Sequence, residues 1–148
     1  MNSQAKIRKY IYSITVFFIA LSGFAQMPVF KRYYIADIPG LSWLAQFYVT
    51  HIMHYIAAIV LITFVIYVLF DFIFKGRGLN TITRIGYFKI VILAGLVITG
   101  SLMVVKNLPS IYFNHNVIIV LDLVHLGFCM ILLGAGLYSL IMKKKWVS

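Results

Sequence analysis

Residues 49–74, VTHIMHYIAAIVLITFVIYVLFDFIF, hold one formally charged side chain, Asp71, and two histidines near their start. At a rise of about 1.5 Å per residue, a helix of this length crosses a hydrocarbon core of roughly 30 Å. The stretch lacks the polar face of a surface helix and is far too long for a buried strand. It reads as a transmembrane helix.

Three stretches of similar character flank it, at 10–30, 84–105 and 116–142. Between them lie KRYYIADIPGLSWLAQ (31–46), KGRGLNT (75–81) and a short segment containing Lys106, Asn107 and Pro109, whose Gly, Pro and Asn content marks connections. Part of the first connection, LSWLAQFYV, has the character of a short interfacial helix. The predicted fold is an all-α membrane protein, a four-transmembrane-helix bundle forming a single domain over 1–148. No internal repeat or low-complexity segment is apparent.

Composition agrees. Of 148 residues, 63% are apolar and 11% charged, with a mean hydropathy of +1.00, more than a soluble surface can carry. Four spans with short connections leave no room for a soluble catalytic domain. The stretch after Lys6, Arg8 and Lys9, IYSITVFFIALSGFA, also has the form of a signal peptide cleaved after Ala25; we read it as the first span.

A net charge of +10 would suggest nucleic acid in a soluble protein, but here the cations collect at the ends of apolar runs. One side receives Lys6, Arg8, Lys9, Lys75, Arg77, Arg84, Lys89, Lys143, Lys144 and Lys145. The other receives only Lys31, Arg32 and Lys106. The positive-inside rule then places both termini in the cytoplasm, consistent with a multi-pass protein of a bacterial cytoplasmic membrane. Tyr33, Tyr34, Trp43 and Tyr48 on one side, with Tyr10, Tyr87 and Trp146 on the other, fit aromatic belts. Nucleic acid is excluded as a partner and membrane lipid is expected.

The histidines are the candidate chemistry, because ionisable groups inside a membrane are rare and tend to be functional. All four fall in the outer half: His51 and His54 at the head of span 2, His115 in the outer loop, and His125 in span 4. His54 and His125 lie roughly 8 to 13 Å below the outer surface by helical rise. Two imidazoles at one depth on different helices suit one haem b, whose iron takes an axial ligand on each face. The competing reading, of similar weight, is polar glue between helices. The lone Cys129 excludes a disulfide, an iron-sulfur or zinc cluster and covalent haem attachment.

Around this pair, Gly23 and Gly100 permit close approach by a helix or a flat ring. Lys31, Arg32 and Lys106 are candidate partners of haem propionates, although outer cations are commonly just solvated. His51 has three readings: a propionate contact, a quinone site, or an interfacial histidine, the last being the commonest. Asp122, three residues before His125, is a candidate to orient an imidazole or accept a quinol proton, against a plain interfacial acid. Asp71 is expected to pair with Arg77 or Arg84.

VFFIALSG (16–23), HIMHYIAAIVLITF (51–64), LVITG (96–100) and LVHLG (123–127) together resemble the cytochrome b (gamma) subunits of respiratory formate dehydrogenases and nickel-iron hydrogenases. Those are four-helix proteins that pass electrons between an iron-sulfur subunit and quinone. The resemblance implies that His54 and His125 hold the outer of the family's two haems. The positions matching the inner pair carry Lys9 and Ser139, neither an ordinary haem ligand, so one outer haem is expected. With the inner site missing, quinone or quinol is expected to meet the haem in the outer half, with His51 or Asp122 handling protons. The expected function is a cytochrome b subunit, not catalytic alone, within a hetero-oligomeric complex whose outer-face partner is an iron-sulfur or cytochrome subunit. The alternative is a haem-free membrane anchor. A transporter fits less well, since inverted halves and broken membrane helices are not evident.

Overall fold

The computed structural model describes residues 3–27, 37–76 and 82–142. Four long helices account for most of them: α1 (Ser3–Ala25), α2 (Phe47–Phe74), α3 (Arg84–Val105) and α4 (His115–Ile141). All four are long and apolar enough to cross a membrane, and the protein is a multi-pass, all-α membrane protein. In lipid a spanning segment must satisfy its backbone internally, and a helix does so within one segment.

The boundaries follow local chemistry. Thr83 Oγ1 accepts the Gly86 N–H at 3.0 Å and opens α3, while Asn114 Oδ1 accepts the Asn116 N–H at 3.0 Å and opens α4. The second cap draws His115, expected in the loop, into the first position of α4. Gly76, at φ +60°, ends α2 in the left-handed conformation that glycine adopts without a Cβ penalty. Helix α1 starts at Ser3, not at residue 10, because Lys6, Arg8 and Lys9 are good helix formers. It closes at Ala25, short of the expected residue 30. The expected interfacial helix shrinks to one 3₁₀ turn, Ser42–Ala45, with Leu44 buried, since Phe47 already belongs to α2.

The chain divides into two compact units, Met1–Gly76 and Arg77–Ser148, each an antiparallel helical hairpin. In the first, Arg8 at the open end of α1 reaches Asp71 near the end of α2, and Ser22 meets His54 near the loop end. In the second, Gly95 lies against Phe128 and Thr99 meets His125. A Cβ on Gly95 would stand 2.7 Å from the Phe128 ring, so glycine is what lets α4 seat there. The buried positions mix apolar residues (Ala57, Leu61, Ile92, Leu132) with hydroxyls at Thr15, Ser22, Thr50, Thr99 and Ser139. Ser22, Thr50, Thr99 and Ser139 return their protons to carbonyls one turn back, which makes a hydroxyl tolerable in an apolar interior.

The described partners of Asp71 lie within its own hairpin. Its carboxylate lies 2.7 Å from Arg8 and 2.9 Å from Lys75, and Arg8 also donates to the Tyr67 hydroxyl at 3.0 Å. Lys75 is one turn on and Arg8 is delivered by the hairpin; of the expected partners, Arg77 lies outside the described residues. Asp71→Asn should therefore lower the detergent-solubilised melting temperature by a few degrees, roughly the shift seen when one ion-pair network is lost. The same change in an Arg8→Gln background should have a smaller effect, measured by scanning fluorimetry of the pair.

Candidate functional site

His54 is the eighth residue of α2 and faces the end of α1. Its Nδ1 lies 3.1 Å from Ser22 Oγ and 3.1 Å from the Ile19 carbonyl. A carbonyl only accepts, so Nδ1 carries the proton and the lone pair resides on Nε2. Ser22 is compatible with this, because its own proton goes to the Phe18 carbonyl at 2.7 Å, leaving Oγ to accept. Gly23 completes the seat: a Cβ there would come within 3.2 Å of His54 Cε1.

The second hairpin repeats the arrangement with different residues. Thr99 Oγ1 lies 2.8 Å from His125 Nδ1 and donates its own proton to the Gly95 carbonyl at 2.8 Å. With that proton on the carbonyl, Oγ1 serves as the acceptor for a His125 Nδ1–H. A Cβ on Gly100 would stand 3.4 Å from His125 Cε1. In each unit, then, a hydroxyl residue followed by glycine near the loop end of the leading helix receives a histidine from the returning helix. Both glycines accommodate the imidazole itself.

His51 stands one turn nearer the loop. Its Nδ1 is 3.1 Å from Gln26 Oε1, and its ring stacks on Phe47 and packs against Tyr55 at centroid distances of 5.0 and 4.4 Å. The Gln26 amide nitrogen donates to the Ser22 carbonyl at 3.2 Å and to the Thr50 carbonyl at 3.5 Å. That orients Oε1 as acceptor for the His51 Nδ1–H, so Nε2 of His51 is the proton-accepting nitrogen. Gln26 thereby joins His51 to the turn that holds His54.

Other candidates are placed differently. Asp122 lies 3.0 Å from Lys106, and each neutralises the other; the residue that orients His125 is Thr99. His115 is exposed at the start of α4, and Lys9 is exposed on α1. Ser139 is buried with its hydroxyl on the Ala135 carbonyl. Lys31 and Arg32 lie outside the described residues. Lys89, counted among the cytoplasmic-side cations, is only 2% exposed within α3. No three His, Cys, Asp or Glu side chains gather among the described residues.

No family model, curated protein or solved structure matches the chain. The functional reading therefore rests on the two histidine seats. Ser22, Thr99 and Gln26 were not singled out by sequence reasoning, although a signal for the first two exists: Ser22-Gly23 and Thr99-Gly100 are the same hydroxyl-glycine pair near the outer ends of spans 1 and 3. Three residues per hairpin are too sparse to register as a repeat.

The chemistry open to such seats is that of a neutral imidazole with a fixed ring plane and an Nε2 donor. A metal-ligating histidine characteristically donates its other ring N–H to a fixed acceptor, which sets the tautomer and strengthens the ligand. The donor set suits haem iron, which needs two imidazoles and no carboxylate or thiolate.

Proposed function

We propose that this protein is a membrane cytochrome b subunit in which Nε2 of His54 and Nε2 of His125 are the two axial ligands of one haem b. It transfers electrons between a membrane quinone or quinol and a redox subunit docked on the outer face. The observation that carries this reading is that both histidines, on separate hairpins, set Nδ1 against a built acceptor. The resemblance to the gamma subunits of formate dehydrogenases and hydrogenases supports it, and the substitution of the inner ligand positions by Lys9 and Ser139 limits it to one haem.

Haem iron supplies reversible one-electron transfer. The chain's own residues orient the ligands through Ser22 and Thr99, exclude water with the apolar walls of the spans, and handle protons. When a quinol gives up two electrons it also releases two protons, and His51 Nε2 is placed to accept one of them. Asp122 serves this less well while it is paired with Lys106.

The reading of a haem-free anchor has its own support, since histidine-to-hydroxyl bonds between membrane helices also serve as packing glue worth about 0.6–2 kcal/mol. A reduced-minus-oxidised difference spectrum separates the two. Protein purified with its native partners should show a low-spin b-type signal near one haem per chain; its absence, with haem supply ensured during expression, overturns the cytochrome reading.

The two seats also predict an asymmetry. His54 Nδ1 has the Ile19 carbonyl as well as Ser22, whereas Thr99 is the acceptor for His125. Thr99→Val should therefore weaken haem retention roughly 10- to 100-fold and raise the midpoint potential, because a less polarised imidazole donates less charge to ferric iron. Ser22→Ala should do markedly less. Equal effects in a haem-retention and potentiometric titration would contradict the tautomer assignment.

A further inference from the structure

We infer that the open end of the α3–α4 hairpin carries a binding site for one anionic phospholipid, with its phosphate on Arg84 and an acyl chain lying along Gly134. This site is separate from the histidines and does not depend on haem.

A groove of about 480 Å³ runs between the two helices, walled by Ile85 and Phe88 of α3 and by Ile131, Gly134 and Tyr138 of α4, with Arg84 at one end. Its volume falls within the roughly 300–1,000 Å³ of ordinary small-molecule sites. From Ile131 to Tyr138 it follows α4 for two turns, about 10 Å. Nearly all of this wall is apolar, and the span that forms it is in lipid.

Gly134 is the first argument for an occupant. A Cβ there would meet nothing within 4 Å, in contrast to Gly95, which Phe128 fills. Glycine costs a helix about 1 kcal/mol relative to alanine. At Gly95 close packing accounts for it; Gly127 and Gly136 likewise meet nothing within 4 Å, and of the three open glycines Gly134 is the one that lines the groove.

Charge identifies the occupant. Residues 77–148 contain seven Lys and Arg and a single acid, Asp122. Asp122 is held by Lys106 at the loop end, the opposite end of the hairpin from Arg84. At Arg84 the hairpin therefore offers a cation and no carboxylate of its own. A phosphate accepts paired N–H bonds from arginine, and basic pockets between membrane helices are characteristic sites of anionic headgroups. An apolar slot ending in an arginine matches a molecule that is acyl chain at one end and phosphate at the other.

The test uses full-length protein in nanodiscs of phosphatidylcholine with a small fraction of phosphatidylglycerol, released into native mass spectrometry to count retained lipid. Wild type should retain one phosphatidylglycerol in clear preference to phosphatidylcholine. Arg84→Gln, which keeps the groove but removes the charge, and Gly134→Leu, which keeps the charge but fills the groove, should each cut that retention at least fivefold. Lys6→Gln with Lys9→Gln removes two cations of the first hairpin, neither of which lines the groove, and should leave retention unchanged. Circular dichroism of each variant confirms that the helices persist. The proposal is overturned if wild type shows no preference, if the Lys6/Lys9 variant loses as much lipid as Arg84→Gln, or if Gly134→Leu keeps the lipid and instead dissociates an oligomer, which would make the occupant another helix.

Discussion

Replacing His125 by alanine is expected to abolish the b-type haem signal, reducing bound haem per chain by more than tenfold, and His54→Ala is expected to do the same. Under the proposed ligation, each substitution removes one of the two imidazoles that would hold the iron, together with that imidazole's contact to its seat. His115→Ala and His51→Ala serve as controls. His115 is an exposed residue at the first position of α4, and His51 is engaged by Gln26 one turn from His54. Both variants should keep their haem, while His51→Ala should slow quinol-dependent reduction. Haem content is read from the pyridine haemochrome of purified protein. Full haem in either His54→Ala or His125→Ala would refute the ligand assignment; haem lost only with His51 would move the site one turn outward.

The second large effect is expected at the glycines. Gly23→Leu and Gly100→Leu should lower haem retention about as far as loss of a ligand does, without touching either histidine. Even a methyl group at Gly23 would sit 3.2 Å from His54 Cε1, closer than ordinary carbon contact, and a leucine would need the imidazole's own place. Displacing the ring breaks its bond to Ser22 or Thr99 and turns Nε2 away from the iron. Gly127 is the matched control, since a Cβ there would meet nothing within 4 Å, so Gly127→Ala should retain haem. Graded loss from alanine to leucine at Gly23 and Gly100, absent at Gly127, is the signature of seats shaped around imidazole. If Gly23→Leu and Gly100→Leu leave the spectrum intact, the glycines serve only helix packing.

The same distances sharpen the reading of the ion pairs. Lys106 and Asp122 are attractive separately, one for a propionate and one for a quinol proton, but at 3.0 Å they first neutralise each other. Arg8, Lys75 and Asp71 tie the open end of the first hairpin in the same way. The protein's three acids are all aspartates, and two of them are spent on such ties. The cationic surplus that remains is what directs the open end of the second hairpin toward anionic lipid.

By itself the amino-acid sequence determined the number and type of the spans, their ends to within a few residues except in the first, and how far along its own helix each of His54 and His125 stands. These are local properties: hydropathy and length decide insertion, and a fixed rise per residue converts position into distance along the helix. The tertiary structure alone decided which groups meet Nδ1 of each imidazole, that Gly23 and Gly100 accommodate the rings, and that Asp71 belongs to Arg8. The partners concerned stand 63 residues apart for Arg8 and Asp71, 32 for Ser22 and His54, and 26 for Thr99 and His125. Meeting depends on the rotation and register of each helix against its neighbour. In helices that are apolar on every side no sequence pattern marks the inward face, so register is set by where small residues let the helices close together.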